Sequence, residues 1–326
     1  MKAKAFLRWE TALFVLLVLI AVVGAARTNG GFLAGQNLFY LGLDIGEIAI
    51  MALPLTLVIV AAEIDLSVAS VLGLSSALIG ALWNAGWALE TILPLVLLVG
   101  AVCGAFNGVL VTRMGLPSLA VTIGTLALYR GLALIVLGDH AVADFPADYT
   151  RFGTTPLPGT PIPYPIALFA VLAVVFGLLL HATAFGRALF ALGANEEAAR
   201  FSGIRVKRNK EILFVLSGVL SALAGIVYTF RFSSARADNG TGLELAVVAA
   251  VLLGGVSIFG GRGTVGGVIL AVLVLGALRN VLILADTSTE VLTVVTGLLL
   301  LASVLAPAII QGILNRFKRP IEGAPS

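Results

Sequence analysis

The sequence ALGANEEAARFSGIRVKRNK, from Ala191 to Lys210, lies between two long apolar runs near residues 163–183 and 211–231. Seven of its twenty residues are charged, although charged residues make up only 11% of the chain. Apolar runs of about twenty residues are long enough to cross the roughly 30 Å of hydrocarbon in a membrane. Charge that is confined to the connection between two such runs indicates membrane-spanning helices joined by a loop in water.

The composition of the whole chain supports this interpretation. The chain has 326 residues, of which 60% are hydrophobic and a further 37 are glycine, and its mean hydropathy is +1.10. Soluble domains contain about 45 to 50% apolar residues, glycine included. We therefore predict an all-α integral membrane protein with about ten transmembrane helices, which form a single domain over residues 1–326. The ten segments lie near residues 10–26, 41–62, 66–83, 89–112, 118–138, 163–183, 211–231, 244–259, 265–285 and 290–313.

Basic residues predict the side of the membrane that each loop faces. Lys and Arg are concentrated on the cytoplasmic side of membrane proteins. Both ends of this chain are basic, so both termini are predicted to be cytoplasmic, which requires an even number of crossings. Ten crossings place 14 of the 20 basic residues inside, including those of Ala191–Lys210. A re-entrant segment at 244–259 would break this count, so whether that segment spans the membrane stays open.

Glycine spacing predicts two local features. Gly100, Gly104 and Gly108 lie on one face of a helix, where they allow another helix to approach closely. The stretch GGVSIFGGRGTVGG, Gly254–Gly267, contains a G-x-G-x-x-G match, as dinucleotide-binding folds do. The next twenty residues form one apolar span, which leaves no room for the strand, helix and strand of such a fold. We interpret this stretch as a cytoplasmic hinge between two spans.

The sequence carries no signature of catalysis, metal binding or ATP hydrolysis. Cys103 lies within an apolar segment, where a buried thiol is the ordinary expectation. His140 and His181 form no cluster at metal-ligand spacing, and no G-x-x-x-x-G-K-[ST] loop occurs. The chain is therefore predicted to be no enzyme and to hold no metal or cofactor. Energy for active transport would come from another subunit or from an ion gradient.

Polar residues within the apolar segments are candidates for a transport pathway, because an ionisable group at bilayer depth is usually functional. Asp65 has two interpretations: it caps the helix that follows, or it lines a water-filled helix break together with Glu63 and Ser67. Asp44 and Glu47 lie near the outer end of their segment and are interpreted as solvated. Further candidates that could bond a hydroxylated substrate are Asn107, Thr122 and Thr125. The alternative for the two threonines is a bond within their own helix.

Four motifs identify a family resemblance. In chain order they are EIDLSVAS, PSLAVTIGTLALYRG, GRALFALGANEEAARFSGI and ELAVVAAVLLGGVSIFGGRGTVGG. Together they resemble the permease subunits of bacterial ABC importers for monosaccharides, the ribose, xylose, arabinose, rhamnose and autoinducer-2 group, over nearly the whole chain. The resemblance implies a multi-pass permease of the inner membrane that forms the path for inward sugar transport. It also implies three protein partners: a second permease subunit, a cytoplasmic ATP-binding cassette subunit and a periplasmic or lipid-anchored sugar-binding protein.

The resemblance also assigns the charged stretch to a cytoplasmic coupling loop over residues 186–210, which meets the ATPase. Asn195 is a good N-cap, Glu196 and Glu197 suit the positive end of a helix, and Gly203 can end it in a left-handed conformation. The alternative to a docking helix is a solvated basic loop at the lipid headgroups. The family pattern is matched by Gly193, Asn195, Ala198, Ala199, Ser202, Gly203 and Ile204, with Ala194 in place of a second glycine.

Several residues of this region and of the EIDLSVAS motif complete the predictions. Ala198, Phe201 and Ser202 would share the docking face of the short helix. The basic residues Arg205, Lys207, Arg208 and Lys210 are assigned to orientation and to contact with anionic lipid, with no nucleic-acid partner.

The EIDLSVAS motif departs from the family, which usually carries glycine where Glu63 and Ala69 stand. The stretch around Asp238 is most similar to rhamnose and autoinducer-2 permeases. A proton-coupled secondary sugar transporter, with Glu63 or Asp65 as its proton site, is the alternative function. Segments two to five and seven to ten suggest an inverted repeat.

Overall fold

The computed structural model describes residues 2–288 together with residues 291, 294, 295, 297, 298 and 301. In this part of the chain helices dominate, and the β pairing consists of two isolated bridges. The helices are α1 (Lys2–Arg27), α2 (Gly35–Val60), α3 (Val68–Asn84), α4 (Leu89–Thr112), α5 (Ser118–Leu137), α6 (Ala147–Thr154), α7 (Tyr164–Ala182), α8 (Ala184–Ala194), α9 (Glu196–Phe201), α10 (Val206–Arg231), α11 (Leu243–Leu253) and α12 (Val265–Leu284).

The predicted all-α membrane architecture is confirmed, and nine of the ten predicted segments coincide with helices. Seven helices in the described part are long and apolar enough to cross a membrane: α1, α2, α4, α5, α7, α10 and α12. Helix α3 has 17 residues and α11 has 11. At 1.5 Å per residue, α11 is only about 16 Å long, roughly half the hydrocarbon thickness, so it does not span the membrane alone. The tenth segment, 290–313, lies mostly outside the described residues.

Helix α2 lies at the centre of the protein. From Ala49 to Val60 its apolar residues are at most 1% exposed, because α7, α10, α11 and α12 surround it. A helix that is apolar on every side must be buried on every side. The outer helices instead keep large apolar side chains on the surface, such as Leu19 of α1, Ile135 of α5 and Val171 of α7. Such a surface suits contact with lipid.

Helices α4 and α10 pack along the predicted glycine face. A Cβ atom added at Gly104 would lie 2.1 Å from the carbonyl oxygen of Phe214, and one at Gly100 would lie 2.5 Å from that of Gly218. These distances leave no space for any side chain. The predicted close approach is therefore confirmed, and its partner is α10.

Residues 254–264 connect α11 to α12, in agreement with the interpretation of this glycine-rich stretch as a hinge between helices. Gly260 and Gly261 both have positive φ angles, 77° and 70°. Gly261 N donates a hydrogen bond of 2.8 Å to the carbonyl oxygen of Val60, the last residue of α2. Because α12 begins directly after this loop, the dinucleotide-fold reading of the same glycines is excluded.

Candidate functional site

The segment between α2 and α3, residues 61–67, interrupts the helical path inside the protein and carries three of the predicted pathway residues. Glu63, Asp65 and Ser67 are all buried. Asp65 Oδ1 accepts hydrogen bonds from Ser67 N at 2.9 Å and from Ser67 Oγ at 2.6 Å. Asp65 Oδ2 accepts a hydrogen bond of 2.7 Å from Ser217 Oγ of α10. The Asp65 carboxylate therefore ties this helix break to α10.

The same hydrogen-bond network continues into α4 and α5. Asn107 Nδ2 donates to Ser67 Oγ at 2.9 Å. Tyr129 OH donates to the carbonyl oxygen of Cys103 at 2.9 Å and lies 3.3 Å from Asn107 Oδ1. Asn107 and Tyr129 are both buried. The network thus joins α10, the break, α4 and α5 through side chains.

The two predicted threonines lie beside the break on α5. Thr122 Oγ1 donates to the carbonyl oxygen of Ser118 at 2.8 Å and lies 3.3 Å from that of Ile64 in the break. Thr125 Oγ1 lies 3.5 Å from the carbonyl oxygen of Thr122, within its own helix. Ser118, which the sequence analysis did not single out, accepts a hydrogen bond of 3.1 Å from Ile64 N. Helix α5 therefore supports the break through Ser118 and Thr122.

The N-cap interpretation of Asp65 is wrong in its details. Helix α3 begins at Val68, Ser67 occupies the N-cap position, and no side chain caps it. The expected contact is nevertheless present, because Asp65 accepts a hydrogen bond from the backbone N–H of Ser67, two residues ahead, as in an Asx turn. The break itself is present. The polar groups of Asp65, Ser67 and Asn107 bond one another, Ser217 or Tyr129. Their place along a transport pathway stays a prediction. A cleft of about 60 Å³ lies elsewhere, between α2, α11 and α12, with Asp44, Arg279 and Asn280 in its lining.

Glu63 pairs with Lys210, which the sequence analysis assigned to contact with anionic lipid. Lys210 Nζ lies 2.5 Å from Glu63 Oε1 and 2.6 Å from Glu196 Oε2. Only 8% of Lys210 is exposed. The assignment of Lys210 to contact with lipid is therefore wrong, whereas Arg205, Lys207 and Arg208 of the same basic run are exposed. A basic run looks uniform in sequence, and only the position of the first turn of α10 decides which residue points inward.

The predicted short helix is present as α9, Glu196–Phe201. Asn195 Oδ1 accepts a hydrogen bond of 2.9 Å from Ala198 N, as expected of an N-cap. Gly203 follows the helix with φ +83°, the left-handed conformation that glycine adopts most easily. Phe201 is 82% exposed, and Ala198 and Ser202 are exposed beside it, so the predicted docking face is open.

The inward face of α9 and the end of α8 pack against the central helix. Ala199 is only 4% exposed and belongs to the core around α2, so it anchors α9 and is not part of the docking face. A Cβ atom at Gly193 would lie 1.9 Å from the carbonyl oxygen of Val60 and 2.4 Å from Gly261 N. The α8–α9 connection, the end of α2 and the hinge loop therefore meet backbone to backbone. Ile204 is half-buried against the same core.

The opposite end of α10 holds a second ion cluster that the sequence analysis missed. Arg231 Nη1 lies 3.0 Å from Glu47 Oε2, and Arg231 Nη2 pairs with Asp44. Glu47 is only 2% exposed, so its interpretation as solvated is wrong. The sequence feature that could have revealed this cluster is a lone arginine at the end of one apolar segment, together with two acids near the outer end of another.

The loop after α10 packs onto α3 and α5 at this same end. Arg130 Nη1 donates to the carbonyl oxygens of Ala237 and Asn239 at 2.7 and 2.9 Å. Asn239 Nδ2 donates to Ser76 Oγ at 2.8 Å. Asp238 stays on the surface, where its hydrogen bonds from Arg236 lower the pKa of the Asp238 carboxyl. The stretch around Asp238 is therefore an ordered loop, in which the backbone carbonyls are held by one arginine.

Metal ligation has no support in the described part of the chain. No group of three or more His, Cys, Asp or Glu side chains there is arranged to hold an ion. The two ion clusters are carboxylates that already have a lysine or an arginine within bonding distance. Their charges are compensated by protein side chains, which is the usual condition for burying an ionised group.

Comparisons with known proteins agree with this architecture. A family model described as the permease component of a branched-chain amino acid transport system matches residues 37–304. The chain belongs to this permease family. The autoinducer 2 import system permease protein LsrD of Yersinia enterocolitica is 37% identical over 308 residues, 92% of each chain. The LsrD proteins of Klebsiella pneumoniae and of an Enterobacter species are 38% and 39% identical, and each match covers at least 92% of both chains. No solved structure matches the chain significantly.

These matches confirm the family resemblance seen in the motifs. The chain is a permease subunit of the sugar ABC importer type, a transport subunit and not an enzyme. Together with the seven apolar helices, they identify a multi-pass protein of the bacterial inner membrane.

Proposed function

We propose that this permease forms the membrane path of an ATP-driven importer that carries autoinducer 2 or a closely similar small sugar into the cell. A separate ATP-binding cassette subunit would supply the energy, a binding protein would deliver the substrate, and a second permease subunit would complete the path. Helix α9 would be the contact with the ATPase. Residues Gly193, Asn195, Glu196, Ala198, Ala199, Ser202, Gly203 and Ile204 would form or position that contact.

The exposure of Phe201 carries the docking part of the proposal. Phe201 is a large aromatic side chain that stays 82% exposed in a capped helix beyond the membrane-spanning segments, so the folded monomer leaves it almost uncovered. Aromatic residues of this kind are enriched among the anchors of protein interfaces. A short helix with Phe201 outward and Ala199 inward can fill a partner's groove while it remains packed against the permease.

The named relatives favour autoinducer 2 as the substrate. Matches to autoinducer 2 import permeases cover at least 92% of the chain and of each relative. Of the two substrates suggested by the residues around Asp238, rhamnose and autoinducer 2, these names support the second. Both are small polyhydroxylated molecules, so both would need hydrogen-bonding groups along the path. Glu63, Asp65, Ser67, Asn107, Thr122 and Thr125 remain the proposed supply of such groups.

The secondary-transporter alternative requires a carboxyl group that is free to exchange protons. Glu63 is paired with Lys210, and Asp65 accepts three hydrogen bonds. The oxygen atoms of both side chains are thus engaged within the fold, which supports a structural use of these carboxyl groups.

Docking can be tested with an aspartate substitution at the exposed aromatic. Detergent-solubilised complexes of the tagged permease and its ATP-binding cassette subunit are purified after co-expression, and the amount of ATPase retained per permease is measured. We expect Phe201→Asp to lower the affinity at least about tenfold, because it removes an apolar anchor and places a charge in the groove. The control is Phe152→Asp, which changes a phenylalanine of α6 that is 41% exposed and stacks on Tyr164, near the other end of α10. Equal retention by Phe201→Asp and the control would contradict docking through α9.

A further inference from the structure

We infer that Lys210 is the positioning residue that transmits movement of α9 to the helix break at residues 61–67. This inference rests on the proposed function. Lys210 Nζ bonds two carboxylates that belong to different parts of the protein, Glu196 in the first turn of α9 and Glu63 in the break. One buried cation thus joins the proposed docking helix to the proposed pathway.

The two carboxylates that bond Lys210 are buried to different degrees, and this difference determines which of them can leave the lysine. The Glu63 side chain is 10% exposed, whereas the Glu196 side chain is 51% exposed. A buried charge that loses its partner is strongly destabilised, while an exposed charge can turn to water. When α9 moves, Glu196 can therefore leave Lys210, but Glu63 cannot. Lys210 and Glu63 would then be left as a pair.

Movement of Glu63 would reach the rest of the site through the backbone. Glu63 is two residues from Asp65, whose carboxylate holds Ser67 and Ser217. Ile64 N, between them, bonds Ser118 of α5. A change in how tightly Lys210 holds Glu63 would thus act directly on the segment that bonds α5 and α10. Each of two positions of α9 would then have its own set of bonds at the break. Coupling between two sites requires such a difference in contacts between two states.

The Glu63 carboxylate also keeps the lysine compensated. A residue without a carboxyl group at position 63 would leave Lys210 with only the half-exposed Glu196 carboxylate. Glu63 adds a second and buried acceptor, so Lys210 stays paired when Glu196 turns to water.

A pair of neighbouring substitutions separates this role from general effects on α9. Glu196→Gln removes the negative charge that pairs with Lys210, and Glu197→Gln removes the same charge from the same helix turn at an exposed residue. Both weaken the favourable interaction with the helix N-terminus alike. The complete transporter is reconstituted in proteoliposomes, autoinducer 2 on its binding protein is the probe, and uptake is measured per ATP hydrolysed. Glu196→Gln should lower this ratio at least about fivefold, and Glu197→Gln should leave it unchanged.

Substitution of the lysine provides a second measurement. Lys210→Met should lower the same ratio at least as much, and Lys210→Arg, which keeps a cation, should retain most of it. A merely structural role would lower uptake and ATP hydrolysis together and leave their ratio constant. Equal ratios for Glu196→Gln, Glu197→Gln and the wild type would overturn the inference and leave the proposed function standing. Absence of ATP-dependent uptake in the wild type would overturn the proposed function, and the inference with it.

Discussion

Ser217 and Ser221 lie one helical turn apart on α10, and both are fully buried. Ser217 Oγ donates to Asp65, whereas Ser221 Oγ has no hydrogen-bond partner in the described part of the chain. Their chemistry and burial are the same, so the contrast between them isolates the hydrogen bond to the helix break.

Alanine substitution of these two serines tests the network around Asp65. Ser217→Ala should lower the free energy of unfolding by about 2 kcal/mol, because a buried hydrogen bond is lost and Asp65 Oδ2 is left without its donor. Ser221→Ala should cause no loss, since no bond is broken. The measurement is equilibrium unfolding in mixed detergent micelles. Similar losses for the two variants would show that Ser217 does not hold Asp65 in the folded protein.

At the scale of single residues, the polar residues of the helix break could be selected from the sequence, but their bonding partners could not be identified. Asp65, Ser67 and Asn107 could be selected because polar groups are rare in apolar segments. Ser217 and Tyr129 could not be matched to them, nor Arg231 to Asp44 and Glu47, because those contacts join residues that are distant in the chain. Lys210 was misassigned for the same reason: burial depends on how α10 packs against the break.

Helix α9 shows what local signals can predict at the scale of an element. Its N-cap, its acidic first turn and its glycine stop act within a few residues, so they could be recognised without the tertiary structure. The boundary of α3 and the short length of α11 depend on packing against neighbouring helices, and the segments predicted from the sequence were longer. The break between α2 and α3 was expected as one of two alternatives, and only the packed structure shows what fills it.

Two glycines near α9 are expected to be required for different reasons, one for lack of space and one for its backbone conformation. Gly193→Ala should lower the free energy of unfolding by about 2 to 3 kcal/mol, because its Cβ would lie 1.9 Å from the Val60 carbonyl oxygen. Gly203→Ala should cost about 1 to 2 kcal/mol through its positive φ alone, since nothing lies within 4 Å.

The control for both is Gly177→Ala in α7, which has open space around it and should gain roughly 0.5 to 1 kcal/mol. The same unfolding measurement applies to all three variants. If Gly193→Ala were no more harmful than Gly203→Ala, the backbone contact between α8, α2 and the hinge loop would not be a close one in the membrane.

The whole molecule is organised around a buried central helix whose two ends carry different ion clusters. Helix α10 runs from Val206 to Arg231, so α9 and Lys210 lie at one end and Arg231 lies at the other. The break and its hydrogen-bond network lie between α10, α4 and α5. This arrangement is the structural basis for the proposal that a chemical cycle at the α9 end controls a path through the membrane. The cytoplasmic location of the α9 end stays a prediction from the distribution of basic residues.

Uptake into sealed vesicles tests this proposal most directly. The permease, its partner subunits and the autoinducer 2-loaded binding protein are combined so that ATP is enclosed on the α9 side. We predict uptake of autoinducer 2 with ATP and without any ion gradient, and no uptake with a non-hydrolysable ATP analogue. Uptake that follows a proton gradient in the absence of ATP, and that a proton uncoupler abolishes, would contradict the account and establish a secondary transporter.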